Sequence, residues 1–434
     1  MRALLTILIF IGGLMGSSLP KFYTEKLQNG LEVVVIPMNR GSEVITTDII
    51  YKVGSRNELM GKSGIAHMLE HLNFKSTKHL KAGEFDEIVK SFGGVDNAST
   101  GFDFTHYFIK SASRNLDKSL WLFAELMENL KLDKEEFETE REVVAEERRW
   151  RTDNNPMGYL YFRLFNNTFI YHSYHWTPIG FMNDILNWTI EDIRNFHKTY
   201  YQPKNAIVLV VGDVEPQEVF KLTKKHFSHI KNCCPIPKVH QVEPKQEGAK
   251  RVYIHRQSEV DMIAITFHIP NFQHPDQTAL FALSELLSSG KSSRLYKKLV
   301  DEKKMVNTIY AYNMDLKDPG VFLFLAVANP QIKAEDIEKE IWQEIENIKK
   351  GKIEKEELEK IKINTKADFI FSLQNSSEVA NIFGEYLAKG DLKPLLTYEE
   401  NIDKLTLEDL TQVAKKYFTK NNSTTLILRK DGNE

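Results

Sequence analysis

Near the middle of the chain, residues 231 to 248, "KNCCPIPKVHQVEPKQEG", contain three Pro, a Gly, several charges and no hydrophobic period. That composition suits a linker, and the same order of elements begins on either side of it. Before it, "LQNGLEVVVIP" and "EVITTDIIYKVGS" read as β-branched strands leading to a helix around "GIAHMLEH". After it, "RVYIHR" and "MIAITFHIPN" read as strands leading to the helix "QTALFALSELLS". We read the chain as a divergent internal duplication. It divides into an N-terminal segment at 1–18, a first domain at 19–230, a linker at 231–248 and a second domain at 249–434.

The N-terminal "MRALLTILIFIGGLMGSSLP" has one Arg, an uncharged apolar run from Ala3 to about Met15, and then small residues. This is the form of a secretory signal, and an uncleaved anchor is the alternative. No later segment is long and apolar enough to span a bilayer. The mature protein is therefore expected to be exported, to the periplasm of a bacterial-type cell, without a stable membrane span. A formal net charge of -3 gives no basic field for nucleic acid. The two cysteines, Cys233 and Cys234, are adjacent, which excludes a disulfide framework and a cysteine-rich metal site.

The densest chemistry lies in "GIAHMLEHLNF". In a helix, residues three and four apart share a face, so His67, Glu70 and His71 project together, with Ser63 as the expected N-cap. Two imidazoles one turn apart can hold a zinc ion, and a neighbouring carboxylate can take a proton from its water. A solvated surface helix is the alternative. The pattern is H-x-x-E-H, the inverse of H-E-x-x-H. A third ligand must come from elsewhere, and "DKEEFETEREVVAEERRW" offers one. Asp133 and Glu136 predict a capping box there. Glu140 and Glu147 lie two turns apart on one face, with Val143 and Val144 between them. Glu147 can be the third ligand and Glu140 an acceptor for an imidazole N–H.

"GIAHMLEHLNFKST", then "FGGVDNASTGFDFTHYF" and "EREVVAEE", resemble the pitrilysin/insulinase family of inverted-zincin peptidases, in the compact branch that includes the mitochondrial processing peptidases. In that family the motif helix is followed at a long interval by a Glu ligand, with another Glu seven residues before it. Here Glu147 follows His71 by 76 residues, and Glu140 stands at the minus-seven place. "PIGFMNDI" and "YYQPKNAIVLVVGDV" extend the likeness over most of the chain. The resemblance implies an α+β fold of two homologous halves, each an antiparallel sheet with helices packed on one face. It also implies a closed chamber, one Zn2+ per chain held by His67, His71 and Glu147, and Glu70 as general base. Peptide substrate would pair with a sheet edge at Asn97, Ala98, Ser99 and Thr100.

One segment departs from the pattern. Active members resemble "SSRLYxxLREExGLxYSV" in the second half, whereas this chain reads "SSRLYKKLVDEKKMVNTI". Val300 and Asn307 therefore stand where the family has an Arg and a Tyr that bind substrate and stabilise the tetrahedral intermediate. Either Tyr310 or Tyr312 substitutes, or a homologous subunit lacking the zinc motif supplies the pair. We favour this heterodimer over a homodimer. The other functional readings are a non-catalytic structural or binding subunit and a dedicated precursor-processing peptidase. His172 and His175 in "YHSYHWTP" are read as packing and hydrogen-bonding residues rather than a second metal site.

Overall fold

A computed structural model describes residues 18–38 and 41–430. The expected signal lies outside the described residues except for Ser18. The described residues form two compact units, one from 18–38, 41–145, 178–240 and 369–396, the other from 146–177, 241–368 and 397–430. Relative to contiguous halves at 19–230 and 249–434, each unit thus includes a segment from the other half of the sequence.

The first unit holds a six-stranded sheet of β1 (Tyr23–Lys26), β2 (Glu32–Pro37), β3 (Val44–Tyr51), β4 (Val95–Thr100), β5 (Thr105–Ala112) and β6 (Ala206–Gly212), in the order β1-β2-β6-β3-β5-β4. In the second, β7 (Lys250–Arg256), β8 (Met262–His268), β9 (Val306–Met314), β10 (Val321–Ala328) and β11 (Ser423–Lys430) lie in the order β7-β11-β8-β10-β9. Both sheets are antiparallel except for one parallel pair each, β2 with β6 and β7 with β11. From β2 onward the spatial orders match strand for strand, as a duplication requires.

β6, "AIVLVVG", is buried along its whole length, because both faces of the sheet are covered. One face meets the core that holds Ile49, Tyr107, Val208 and the helix Leu116–Asn129. Against the other, at β3 and β6, lies the helix Ser376–Lys389. Its first turn is capped by Asn375, whose side chain accepts from Glu378 N at 2.9 Å. Thr46 Oγ1 and Ser376 Oγ are 2.9 Å apart. In the second unit the helix Pro156–Thr168 packs on β8 and β11 in the same manner.

Residues 231–248 are irregular. Their start is held by Gln202, which accepts from Cys233 N at 2.9 Å and donates to the Cys234 carbonyl at 3.0 Å. Both cysteines are free. Among the described residues no helix is long and apolar enough to cross a membrane.

Phe383 is fully buried and meets Phe22 edge to face at 5.6 Å between ring centres. Phe383→Ala should destabilise the first unit by about 3–5 kcal/mol, read as a lowered midpoint in urea unfolding.

Candidate metal centre

The helix Ile65–Asn73 buries Ile65, Ala66, Met68, Leu69 and Leu72 and leaves His67, Glu70 and His71 half-buried on its other side. How it starts differs from the sequence expectation. Ser63 is not the N-cap. The helix begins after Gly64, in the left-handed region at φ 86°, and the carboxylate of buried Glu58 accepts from Gly64 N and Ala66 N, both at 2.8 Å. Ser63 is occupied elsewhere: its backbone N and hydroxyl donate to Asp184 Oδ2 at 3.0 and 2.6 Å, and its carbonyl accepts from Trp188 Nε1 at 3.1 Å. The same hydroxyl oxygen accepts from Phe181 N at 2.9 Å, so its acceptor capacity is used by a distant backbone N–H while its proton makes a charge-assisted bond. Packing is tight here, since a Cβ on Gly64 would lie 2.7 Å from the Ile179 carbonyl oxygen.

The helix Lys134–Arg148 opens with Asp133 Oδ1 accepting from Glu135 N at 2.8 Å and Glu136 N at 3.3 Å. Glu136 does not complete the expected box. Its Oε2 accepts from Ser76 N and Oγ at 3.2 and 2.9 Å, tying this helix to the chain just beyond the motif helix. Phe137, Glu140 and Val144 are buried along one side. Val143, expected beside them, is 46 % exposed and points away. The unit boundary falls within this unbroken helix, so Glu147 is carried on the same rod as Glu140.

Glu140 Oε1 lies 2.9 Å from His71 Nδ1 and Oε2 2.6 Å from Lys75 Nζ. Burial raises its carboxyl pKa, but the bonds to His71 and Lys75 outweigh that and hold it below the usual carboxylate range. With Nδ1 engaged by Glu140, Nε2 is the His71 ring atom suited to ligate a metal. His67, His71 and Glu147 each bring a ligand atom within 4.8 Å of the other two. Two imidazole nitrogens and a carboxylate oxygen fit zinc and leave a position open for water. Glu147 Oε1 also lies 3.1 Å from Arg151 Nε.

Glu70 Oε2 accepts from Thr100 Oγ1 at 2.5 Å, so the acid stands beside the end of β4. That strand is terminal in its sheet. Asn97 and Ser99 are exposed there, while Ala98 and Thr100 are half-buried toward the motif helix. In the second unit Val300 packs against the core, and Asn307, Tyr310 and Tyr312 are exposed on the terminal strand β9. His172 Nε2 lies 3.0 Å from Asp318 Oδ2 and its Nδ1 accepts from Tyr174 N at 3.1 Å, while His175 Nδ1 lies 2.6 Å from the Phe169 carbonyl oxygen.

The insulinase model of peptidase family M16 matches residues 33–172, and the model described as the M16 inactive domain matches residues 187–365. The chain belongs to the insulinase (M16) peptidase family. It is 56 % identical over 416 residues to the zinc protease PqqE of Helicobacter pylori, covering 95 % of this chain and 94 % of that one. A crystal structure of a protease from Helicobacter pylori, 57 % identical, superposes with a TM-score of 0.94 and covers 95 % of this chain and all of the other. A probable mitochondrial-processing peptidase subunit beta from Arabidopsis thaliana is 25 % identical over 415 residues, 92 % of this chain and 77 % of that one.

Sequence reasoning missed Glu58 and Asp184, which seat the motif helix. Asp184 lies inside the "PIGFMNDI" segment that carried part of the resemblance. Glu58→Ala should leave two buried N–H groups without an acceptor and cost about 2–4 kcal/mol, measured by urea unfolding. Glu140→Gln, which keeps size but loses charge, should weaken zinc binding about 10- to 100-fold, measured by competition with a chelator.

Proposed function

We propose that this M16 chain is a zinc-dependent endopeptidase that hydrolyses short or unfolded peptides, with one Zn2+ held by His67, His71 and Glu147. The observation that carries this reading is the convergence of those three donors within 4.8 Å, beside a second acid, Glu70, at the end of a terminal strand.

An extended peptide pairs its backbone with β4 along Asn97 to Thr100, as an added strand does. This holds the scissile carbonyl near Glu70 and gives weak sequence preference. Zinc, when bound, polarises the carbonyl and makes a water acidic enough to lose a proton near neutral pH. Glu70 takes that proton as the water oxygen bonds to the carbonyl carbon. Thr100 Oγ1 keeps the carboxylate aimed at the strand edge. Glu70 then passes the proton to the amine as the C–N bond breaks. Glu140 anchors the His71 ring throughout.

Donors for the developing oxyanion are the weak point of the isolated chain, because Val300 and Asn307 occupy the Arg and Tyr places. A missing donor of this kind costs about 3 kcal/mol, roughly a hundredfold in rate. The working enzyme in this reading is a heterodimer that closes a chamber. Its second subunit is a homologous chain without H-x-x-E-H that supplies the Arg and Tyr. The N-terminal apolar segment supports export of this chain to the periplasm, where its partner would have to meet it.

Purified alone, the chain should bind one zinc ion and cleave unstructured peptides slowly, and adding the partner should raise the rate about a hundredfold. Glu70→Gln should retain zinc and lose at least about 100-fold in kcat, while His67→Ala should lose the metal by elemental analysis. Full zinc content in His67→Ala would overturn the site, and full activity of the chain alone would remove the heterodimer.

A further inference from the structure

The sheet of the first unit has a second face, turned away from the motif helix. By the registers Asp48↔Phe108, Ile50↔His106 and Ser99↔His106, this face carries Asp48, Ile50, Ser99 and His106 together. The helix Ser376–Lys389 covers it, and Gly384 lets it come close, since a Cβ there would lie 2.9 Å from Ile50 Cδ1. Between helix and sheet remains a cavity of about 180 Å³ lined by Asp48, Ser99, Phe104, His106, Gly384 and Glu385, among others.

Two features of this cavity are costly unless something occupies it. Asp48 is only 2 % exposed, and its Oδ1 is buried without a hydrogen-bond partner. His106 Nε2 is likewise buried without a partner, while its Nδ1 lies 3.2 Å from Ser99 Oγ. An unsatisfied buried polar atom costs about as much as a lost hydrogen bond, and a carboxylate in the middle of an apolar strand gains nothing from packing. Burial raises the Asp48 carboxyl pKa well above its usual range and lowers that of the His106 imidazole. Both groups are thus held neutral, and an incoming positive charge would meet no competing cation on the ring and would let Asp48 ionise against it. The Phe104, His106 and Phe108 rings succeed one another at 6.4 and 5.9 Å between centres, and aromatic faces beside a carboxylate are a setting that favours cations.

We infer that this cavity is a binding site for a small organic cation with an ammonium or guanidinium head. The head would sit against Asp48, and the carbon stem would lie along Phe104 and Ile50. At about 30 Å³ per water-sized unit, the cavity holds a ligand of roughly six non-hydrogen atoms. A long side chain of a peptide paired along β4 does not reach Asp48. β4 and β5 intervene before β3, which carries Asp48, and three strand spacings amount to about 14 Å. An inorganic metal ion is disfavoured by the donor set, because the only group of three His, Cys, Asp or Glu ligands within ligating reach among the described residues is His67, His71 and Glu147. The site is separate from the proposed peptidase centre and does not depend on that reading.

Binding is tested by calorimetry on the zinc-loaded full chain with n-butylammonium, methylguanidinium, neutral n-butanol and potassium chloride. Saturable binding of at least one organic cation is expected in roughly the millimolar range for so few atoms. It should be at least tenfold tighter than for butanol and weakened at least tenfold by Asp48→Asn. Asn381→Trp, at an exposed residue that also lines the cavity, should weaken it too. Equal binding of butanol and butylammonium, unchanged binding in Asp48→Asn, or saturation by potassium alone would overturn the assignment. Should Asp48→Asn fail to fold, the comparison of cation with alcohol on the unaltered chain and the Asn381→Trp variant still decide it.

Discussion

A carboxylate buried at the start of a nine-residue helix holds the candidate metal centre together. A helix as short as Ile65–Asn73 is not stable alone, and its first N–H groups have no partners within it. Glu58 accepts two of them and places negative charge at the positive end of the helix dipole. Asp184 fixes the preceding Ser63 by two further bonds. Gly64 and the apolar face of the helix then set its rotation, which points His67, Glu70 and His71 away from the core. From the other side Glu140 fixes the orientation of the His71 ring. The ligand geometry thus rests on carboxylates that would not themselves touch a metal.

What was legible in the sequence follows from range. His67, Glu70 and His71 are set by helix periodicity alone. Glu140 and Glu147 follow from the same periodicity once a second helix is placed opposite, and the structure does place it there. Glu58 was missed and Ser63 misread for a complementary reason. Ser63 looked like an N-cap because serine accepts from N–H groups locally, and nothing in the local sequence reveals that its hydroxyl would accept from Phe181 N instead and donate to Asp184, 121 residues away. Glu136 failed as a capping-box partner in the same way, drawn off by Ser76 across 60 residues. Local rules propose partners, and buried long-range carboxylates override them where charge-assisted bonds are at stake.

The two sheets also show how a duplicated fold can diverge in function. Where the first unit has its motif helix after β3, the second has Gln277–Ser288 after β8, with Ala279, Leu280, Leu283 and Leu287 buried and no histidine. Strand order and pairing sense are retained because they fix the core. The ligand positions of the motif helix were free to change because they lie on its outer side. β4 and β9 occupy equivalent terminal places, and the end of β4 is tied to the acid of the motif helix through Thr100 and Glu70.

The exchange of segments between the halves has a physical origin in β6. A strand written as "AIVLVVG" has apolar side chains on both faces, so helices on one side alone would leave half of them in water. β11, "STTLILRK", repeats the demand in the second unit, where Leu426 and Leu428 join Leu160 and Leu164 in a separate small core. Each sheet meets the demand with one helix from the other half of the sequence, Ser376–Lys389 in one case and Pro156–Thr168 in the other. Gly384, far along the chain from Ile50, is therefore part of the first sheet's packing. A substitution there would act on the sheet that carries β4, through contacts that its place in the second half of the sequence does not reveal.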